Sequence, residues 1–195
     1  MPWVVKIGGS LYGSSHLKEW LDILDACSTH QFVIVPGGGP YADQVRTTDR
    51  QFGLDMTLAH NMAVLGMQQF GYMLASLCPR MCLASCRERI QSCWDDGKVA
   101  IWEPYHMVSQ HCELARTWDV TSDSLAAWLA RYLSIEHLLF VKSAPVTLLN
   151  VSIHDLKKHE CIDPVLPTLL ADKGITAHFM HKSHANEFAK LIGIT

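Results

Sequence analysis

The sequence lacks long apolar runs and blocks of like charge. No stretch approaches the roughly 20 apolar residues that a membrane-spanning helix requires, and the N-terminus has no basic segment followed by a cleavable apolar one. The net charge is only −3, without the basic patch that binding to a nucleic-acid backbone demands. We therefore expect no membrane span, no secretory leader and no nucleic-acid partner.

Paired cysteine motifs are also missing. The seven cysteines are an odd number, and none of them belongs to a Cys-x-x-Cys pair of the kind that structural zinc sites contain. We predict reduced thiols that pack inside a cytoplasmic protein, with no metal site. A zinc or iron–sulfur protein stays open as an alternative. Its candidate ligands are Cys78, Cys82, Cys86 and Cys93, and a second, less favoured set is His178, His181 and His184.

The composition that remains is that of a globular protein. Hydrophobic residues make up 49% and charged residues 18% of the 195 positions, which suits a single domain over residues 1–195. Short apolar runs alternate with amphipathic helical patterns, and this predicts an α/β protein, a three-layer α/β/α sandwich around a mostly parallel sheet. The predicted strands are 3–7, 32–35, 99–102, 138–142 and 175–180, with a possible strand at 146–151. The predicted helices are 16–29, 41–50, 56–77, a helix from 122 onward, 166–172 and 184–192.

Two glycine-rich turns follow the first two predicted strands. Glycines at a strand end let the backbone approach a ligand closely, with N–H groups free to point at an anion. Neither Gly-x4-Gly-Lys-Ser/Thr nor Gly-x-Gly-x-x-Gly occurs, which excludes a P-loop and disfavours dinucleotide binding. We predict that the two turns bind a polyphosphate through Gly8, Gly9, Ser10, Gly37, Gly38 and Gly39.

A lysine stands at or near the end of two predicted strands, at Lys6 and at Lys142. A buried lysine needs a counter-charge or an anionic ligand, and ligands of parallel sheets bind at the carboxyl ends of the strands. Asp123, at the start of a predicted helix, can pair with both lysines. Because phosphoryl transfer depends on positioning and charge neutralisation, we predict these three residues as catalytic. Magnesium would be held chiefly by nucleotide oxygens and water.

Four motifs in this order resemble those of the amino acid kinase family. They are Lys6–Ser10, Pro36–Pro40, Thr121–Ala127 and Leu139–Lys142. The resemblance implies a three-layer fold, ATP with Mg²⁺, and a carboxylate, carbamate or phosphate as acceptor. It also adds Thr121 to the phosphate- and nucleotide-binding residues.

Within that family, the chain is most similar to a short branch that phosphorylates an aminomethylfuran-methyl phosphate in methanofuran-type cofactor synthesis. Gly37–Arg46, Ala59-His60 and Thr121–Ser124 carry this likeness. It implies that Arg46 and His60 contact the substrate, although a solvated helix charge and a core histidine explain them as well. The apolar positions of the predicted helix at 56–77 wrap most of its circumference, which suits a central core helix and equally the interface of the homo-oligomer that we expect.

One stretch departs from the family pattern. After the second lysine the family usually continues Thr-Asp-Val-Asp-Gly, whereas this chain reads Ser143-Ala144-Pro145-Val146-Thr147-Leu148. Two alternatives therefore stay open. The first is a kinase of another carboxylate, carbamate or nucleoside monophosphate. The second is a non-catalytic binding or partner subunit on the same fold.

Overall fold

Six parallel strands and the helices that connect them make up the computed structural model, which describes residues 1–27, 29–143, 162–171 and 174–194. The possible strand at 146–151 lies outside these residues. The strands are β1 (Pro2–Ile7), β2 (Gln31–Pro36), β3 (Met81–Ala84), β4 (Val99–Trp102), β5 (His137–Lys142) and β6 (Thr176–His181). The helices are α1 (Ser15–Ala26), α2 (Gly39–Phe52), α3 (Met56–Leu77), α4 (Arg87–Asp95), α5 (Pro104–His111), α6 (Ser122–Leu133), α7 (Leu166–Leu170) and α8 (Ala185–Leu191), and Gly9–Leu11 forms a 3-10 turn.

The strand order is β3-β4-β2-β1-β5-β6, and each neighbouring pair is parallel. β1 lies between β2 and β5, so the carboxyl ends of these three strands lie side by side at one edge of the sheet. The predicted α/β sandwich around a parallel sheet is confirmed.

Helices cover both faces of the sheet, and the central strands are buried on both sides. Alternate residues of a strand point to opposite faces, so β1 sends Val4 into the core beneath α6 and Val5 into the core beneath α1 and α8. Lys6 lies two residues after Val4, so the two side chains point to the same face of the sheet. The Lys6 side chain therefore lies on the face that α6 covers.

The prediction for α3 matches the structure at both ends. Asp55 caps the helix by accepting a hydrogen bond from the backbone N–H of Leu58 at 3.0 Å. The helix ends at Leu77, because Pro79 disfavours the helical conformation at Cys78, whose backbone is extended (φ −140°, ψ 132°).

The region after α3 differs from the prediction. β3, α4 and α5 were not predicted, and the cysteine run is divided between a strand and a helix. Cys82 of β3 and Cys93 of α4 are joined as a disulfide, so the prediction of reduced thiols is wrong for this pair, whereas Cys27, Cys78, Cys86 and Cys112 are free. Within the described part of the chain, no cluster of three or more His, Cys, Asp or Glu side chains is arranged to hold a metal ion.

The longest helix of the described segments is α3, with 22 residues. No helix in these segments combines the length and the apolar character that crossing a bilayer needs.

Candidate active site

Two lysines and one aspartate form a buried ion-pair cluster at the carboxyl edge of the sheet. Lys6 Nζ lies 2.9 Å from Oδ1 of Asp123, and Lys142 Nζ donates to Oδ2 of the same carboxylate at 2.5 Å. Lys6, Asp123 and Lys142 are 6%, 4% and 8% exposed. Two positive charges and one negative charge leave an excess of one positive charge, and a buried excess of this kind favours an anionic ligand.

The sheet register explains why the two lysines converge. Lys6 of β1 is paired with Phe140 of β5, and Lys142 lies two residues further along the same strand. Both side chains therefore project from the same face, separated by one pleat. α6 packs across this face and presents Asp123 from its first turn.

Burial and mutual charge shift the pKa values in this cluster. Burial favours the neutral carboxyl of Asp123, but the charges of Lys6 and Lys142 outweigh it and lower the pKa of Asp123 below its ordinary value. Burial and the positive charge of Lys6 lower the pKa of Lys142 to about 8, against the attraction of Asp123. The carboxylate is therefore ionised at neutral pH, and Lys142 begins to lose its proton in mildly alkaline solution.

The glycine loops after β1 and β2 touch through their backbones. A Cβ atom on Gly37 would lie 2.2 Å from the backbone N of Gly9, and one on Gly9 would lie 2.2 Å from the backbone N of Gly39. Neither position has room for a side chain. Gly37 N also donates to Ile7 O at 2.8 Å, which fixes the second loop against the end of β1.

The start of α2 adds backbone donors to the same edge. Gly39, with φ +53°, opens the helix, and Pro40 follows within its first turn. The first N–H groups of a helix have no partner inside it and favour anions. Ser143, the residue after β5, joins this group, because its Oγ donates to Ser10 Oγ at 2.7 Å. The two glycine loops and Ser143 therefore form one candidate phosphate site.

A cavity of about 310 Å³ opens beside these loops. One end is formed by the loops and by the segment that leads into α6. The walls come from α2 and α3 and are apolar at Val64 and Met67. The lining comprises Gly9, Ser10, Gly38, Gly39, Ala42, Asp43, Arg46, His60, Ala63, Val64, Met67, Trp118, Val120, Thr121, Ser122 and Leu125.

Arg46 is held at the wall of this cavity. Its Nη1 lies 3.4 Å from Oδ1 of Asp43, and its guanidinium lies 4.8 Å from the centre of the Trp118 ring, a cation–π distance. Trp118 is itself fixed, because its Nε1 donates to Oδ2 of Asp49 at 2.8 Å. The guanidinium keeps further donors for a ligand.

His60 lines the cavity from α3 and is 4% exposed. Neither ring nitrogen has a hydrogen-bond partner among the side chains and backbone groups that the structure describes. Burial, and then the charge of Arg116, lower the pKa of His60, and a weak interaction with the Val120 backbone, outside hydrogen-bond geometry, opposes them. The neutral ring can donate one hydrogen bond and accept another. A ligand that does both would relieve a cost of about 1–3 kcal/mol for the unpaired groups.

Thr121 and a residue that the sequence analysis missed form a second buried network. Thr121 Oγ1 donates to Oδ2 of Asp163 at 2.8 Å, so its hydroxyl hydrogen is not available to a phosphate. Asp163 is 6% exposed and also accepts hydrogen bonds from Ser124. The dipeptide Asp163-Pro164 before a helical pattern is a turn and capping signal that could have identified it.

Comparison with known proteins extends these observations. Residues 1–146 match the amino acid kinase family. The chain is 26% identical to the (5-(aminomethyl)furan-3-yl)methyl phosphate kinase of Methanocaldococcus jannaschii, over 98% of each chain.

The fold is shared with two solved kinase structures. The uridylate kinase of Archaeoglobus fulgidus has a TM-score of 0.74 at 14% identity, with 99% of this chain and 96% of that chain covered. The UMP kinase of Bacillus anthracis has a TM-score of 0.69 at 16% identity, with 97% and 91% covered. The match over residues 1–146, together with this fold, shows that the chain belongs to the amino acid kinase family.

Proposed function

We propose that this protein transfers the γ-phosphoryl group of ATP to the phosphate of an aminomethylfuran-methyl phosphate. Membership of the amino acid kinase family makes the chain a phosphotransferase. The observation that carries the proposal is the Lys6–Asp123–Lys142 cluster beside two backbone-donor loops and a cavity lined by Arg46 and His60. The choice of acceptor is supported by the relative whose name states that acceptor.

The proposed reaction assigns a role to each charged group. An oxygen of the acceptor phosphate attacks the γ-phosphorus of ATP, and the bond to the β-phosphate oxygen breaks, which gives ADP and a diphosphate ester. Lys6 and Lys142 neutralise the negative charge on the group in transfer, because that charge spreads over its outer oxygens. Asp123 keeps the two ammonium groups at a fixed separation. Backbone N–H groups of the glycine loops bind the phosphates.

The cofactor proposal is ATP with Mg²⁺. Because the described residues offer no carboxylate cluster for a metal ion, Mg²⁺ would be bound mainly through nucleotide oxygens and water. When bound, it would supply further neutralisation of phosphate charge. We also propose a cytoplasmic location, which the four free thiols support and the Cys82–Cys93 disulfide opposes.

The cavity fits a small ring that carries a phosphate. Arg46 offers a charged donor and His60 a neutral one for the acceptor phosphate. The apolar wall at Val64 and Met67 suits the carbon face of a furan ring. At about 310 Å³ the cavity lies at the lower end of the size range of small-molecule sites.

An acceptor screen tests this proposal. With ATP and Mg²⁺, we expect faster ADP formation with the aminomethylfuran-methyl phosphate than with UMP, carbamate or N-acetylglutamate. Arg46→Gln is expected to raise the KM for the acceptor about tenfold or more, because one charged hydrogen bond is lost. Arg89→Gln, at an exposed position of α4, serves as the matched control and should leave KM unchanged.

Two outcomes would contradict the proposed acceptor. A preference for a carboxylate or carbamate acceptor would move the protein to another branch of the family. A well-folded protein that binds no ATP in calorimetry and consumes none with any acceptor would favour the non-catalytic alternative.

We further propose that the protein forms a homo-oligomer through α3. Leu58, Met62, Leu65 and Tyr72 lie along one side of this helix and are 60%, 39%, 40% and 52% exposed. Phe52, at 68% exposure, ends the preceding helix. An apolar stripe of this length is self-complementary when two copies pack about a two-fold axis.

Light scattering after size-exclusion chromatography tests the oligomer. Leu65→Glu is expected to yield monomers, because two like charges would meet at the centre of the interface. Leu191→Glu changes an equally exposed leucine on α8 (53%) and should leave the mass unchanged. A monomeric wild-type protein would overturn this part of the proposal.

A further inference from the structure

Asp163 is a buried carboxylate to which the proposed chemistry gives no role. Its Oδ2 accepts from Thr121 N at 2.9 Å, Thr121 Oγ1 at 2.8 Å and Ser124 N at 3.0 Å. Its Oδ1 accepts from Ser124 Oγ at 2.5 Å, Val165 N at 3.2 Å and Leu166 N at 2.9 Å. Both oxygens are therefore satisfied by neutral backbone and hydroxyl donors, so this buried carboxylate needs no further hydrogen-bond partner.

These hydrogen bonds connect two segments that are far apart in the sequence. Val165 and Leu166 belong to the turn that opens α7, and both donate their backbone N–H groups to Asp163. Thr121 and Ser124 belong to the start of α6, about 40 residues earlier. The carboxylate therefore joins the first turn of α6 to the start of α7.

Asp123 is one of the two residues between the anchor points Thr121 and Ser124. With Thr121 and Ser124 both held through backbone N–H and side-chain hydroxyl, the backbone at Asp123 has little freedom to rotate. The direction of its side chain determines whether one carboxylate can meet Lys6 at 2.9 Å and Lys142 at 2.5 Å.

We infer that Asp163 is a positioning residue for phosphoryl transfer, which fixes the start of α6 and so directs the Asp123 carboxylate at both lysines. This inference rests on the proposed function for its kinetic consequence. Its structural consequence, that the pairing of Asp123 with the lysines depends on Asp163, can be measured without substrate.

The kinetic arm of the test uses Asp163→Asn. Asparagine keeps the shape of the side chain, but it replaces one acceptor oxygen with an NH₂ group. This group then faces hydrogen-bond donors from which it cannot accept. We expect kcat to fall about tenfold or more, with little change in the acceptor KM, because Arg46 and His60 belong to α2 and α3. The matched control is Asp55→Asn, which alters an exposed carboxylate that caps α3 and should leave kcat unchanged.

The second arm measures the pKa of Lys142 by NMR of lysine labelled at Cε and Nζ, assigned through Lys142→Arg. Lys6 on β1, Asp123 on α6 and Asp163 influence this ammonium group, and His181 is its register partner on β6. Loss of the Asp163 charge and weaker pairing with Asp123 should both lower the pKa of Lys142 from about 8.

Ser124→Ala separates positioning from simple charge, since it removes one donor at 2.5 Å and keeps the carboxylate. A fall in kcat together with a lower pKa of Lys142 in this variant supports the inference. If Ser124→Ala changes neither quantity, Asp163 acts only through its charge and the inference is overturned. If Asp163→Asn does not fold, the kcat and the Lys142 pKa of Ser124→Ala are sufficient to decide whether the inference holds.

The two arms also separate this inference from the proposed function. A wild-type protein without kinase activity would overturn the proposed function. Even if the wild type is inactive, the pKa of Lys142 can be compared between the wild type and Ser124→Ala. A lower pKa in the variant would support the structural part of the inference, and an unchanged pKa would overturn that part.

Discussion

Replacing Lys6 with methionine is expected to lower kcat about a hundredfold or more, because the loss of one charged contact to a transferring group costs about 3 kcal/mol. Methionine preserves much of the side-chain volume at a position that is 6% exposed, so the chain should still fold. Asp123 would keep its partner Lys142 at 2.5 Å, which leaves a neutral pair without the excess positive charge. Steady-state kinetics at saturating acceptor would measure the loss.

Lys98→Met provides the control for Lys6→Met. Lys98 is an exposed lysine that pairs with Asp96 at 3.4 Å, away from the ion-pair cluster. We expect its turnover to equal that of the wild type. Full turnover in Lys6→Met, with circular dichroism showing a folded chain, would mean that Lys6 does not act on the transferring group.

Asp123→Asn is expected to reduce both turnover and stability. The substitution leaves two buried ammonium groups without a counter-charge, and removing one partner of a buried ion pair costs about 3–5 kcal/mol. Urea unfolding at pH 7 would measure the change. Asp22→Asn, in an exposed pair with Lys18, is the control and should alter stability little.

The difference in the free energy of unfolding between the wild type and Asp123→Asn should depend on pH. The pKa of Asp123 is lowered in the folded protein, so its stabilisation is present above the unfolded pKa and is lost as the pH falls through the folded value. In Asp123→Asn the pKa of Lys142 should fall below about 8, because an attractive charge is gone. In this variant, Lys142 binds fewer protons in the folded chain than in the unfolded chain at every pH between its lowered folded pKa and the ordinary lysine pKa. The free energy of unfolding of the variant therefore increases as the pH rises through this range.

Above about pH 8 Lys142 of the wild type gains stability in the same way, so the difference between wild type and Asp123→Asn should narrow between pH 7 and about pH 8 and then level off. A constant difference over this range would indicate that the ammonium groups are not the source of the instability. No difference at pH 7 would show that the carboxylate contributes nothing to the fold.

Much of the fold follows from local patterns in the sequence. The 22 residues of α3 have a long apolar pattern and a proline stop, and both ends were predicted correctly. β1 and β2 are short apolar runs that end in glycine turns, which is a strong signal for buried parallel strands. β3 is a four-residue edge strand, too short for its periodicity to be recognised beside a cysteine run.

The site could be predicted only in part. Lys6 and Lys142 stand out because charged residues at the ends of apolar strands are rare, and parallel topology brings strand ends together. The Asp163-Pro164 dipeptide marks Asp163 as a turn residue but does not place it in the site, since its contacts lie about 40 residues away and depend on how α7 meets α6. The cavity wall at Val64 and Met67 depends on which side of α3 faces α2, and an apolar helix does not specify this by its sequence alone.

The division of the cavity between backbone and side chains has a consequence for engineering. Its proposed phosphate end is made of glycine loops that contact each other directly, whereas its far walls are replaceable side chains on α2 and α3. Substrate preference can therefore be altered at Val64 or Met67 without disturbing the groups that handle phosphate. A library limited to those helical positions would sample new acceptors on an unchanged phosphoryl-transfer apparatus.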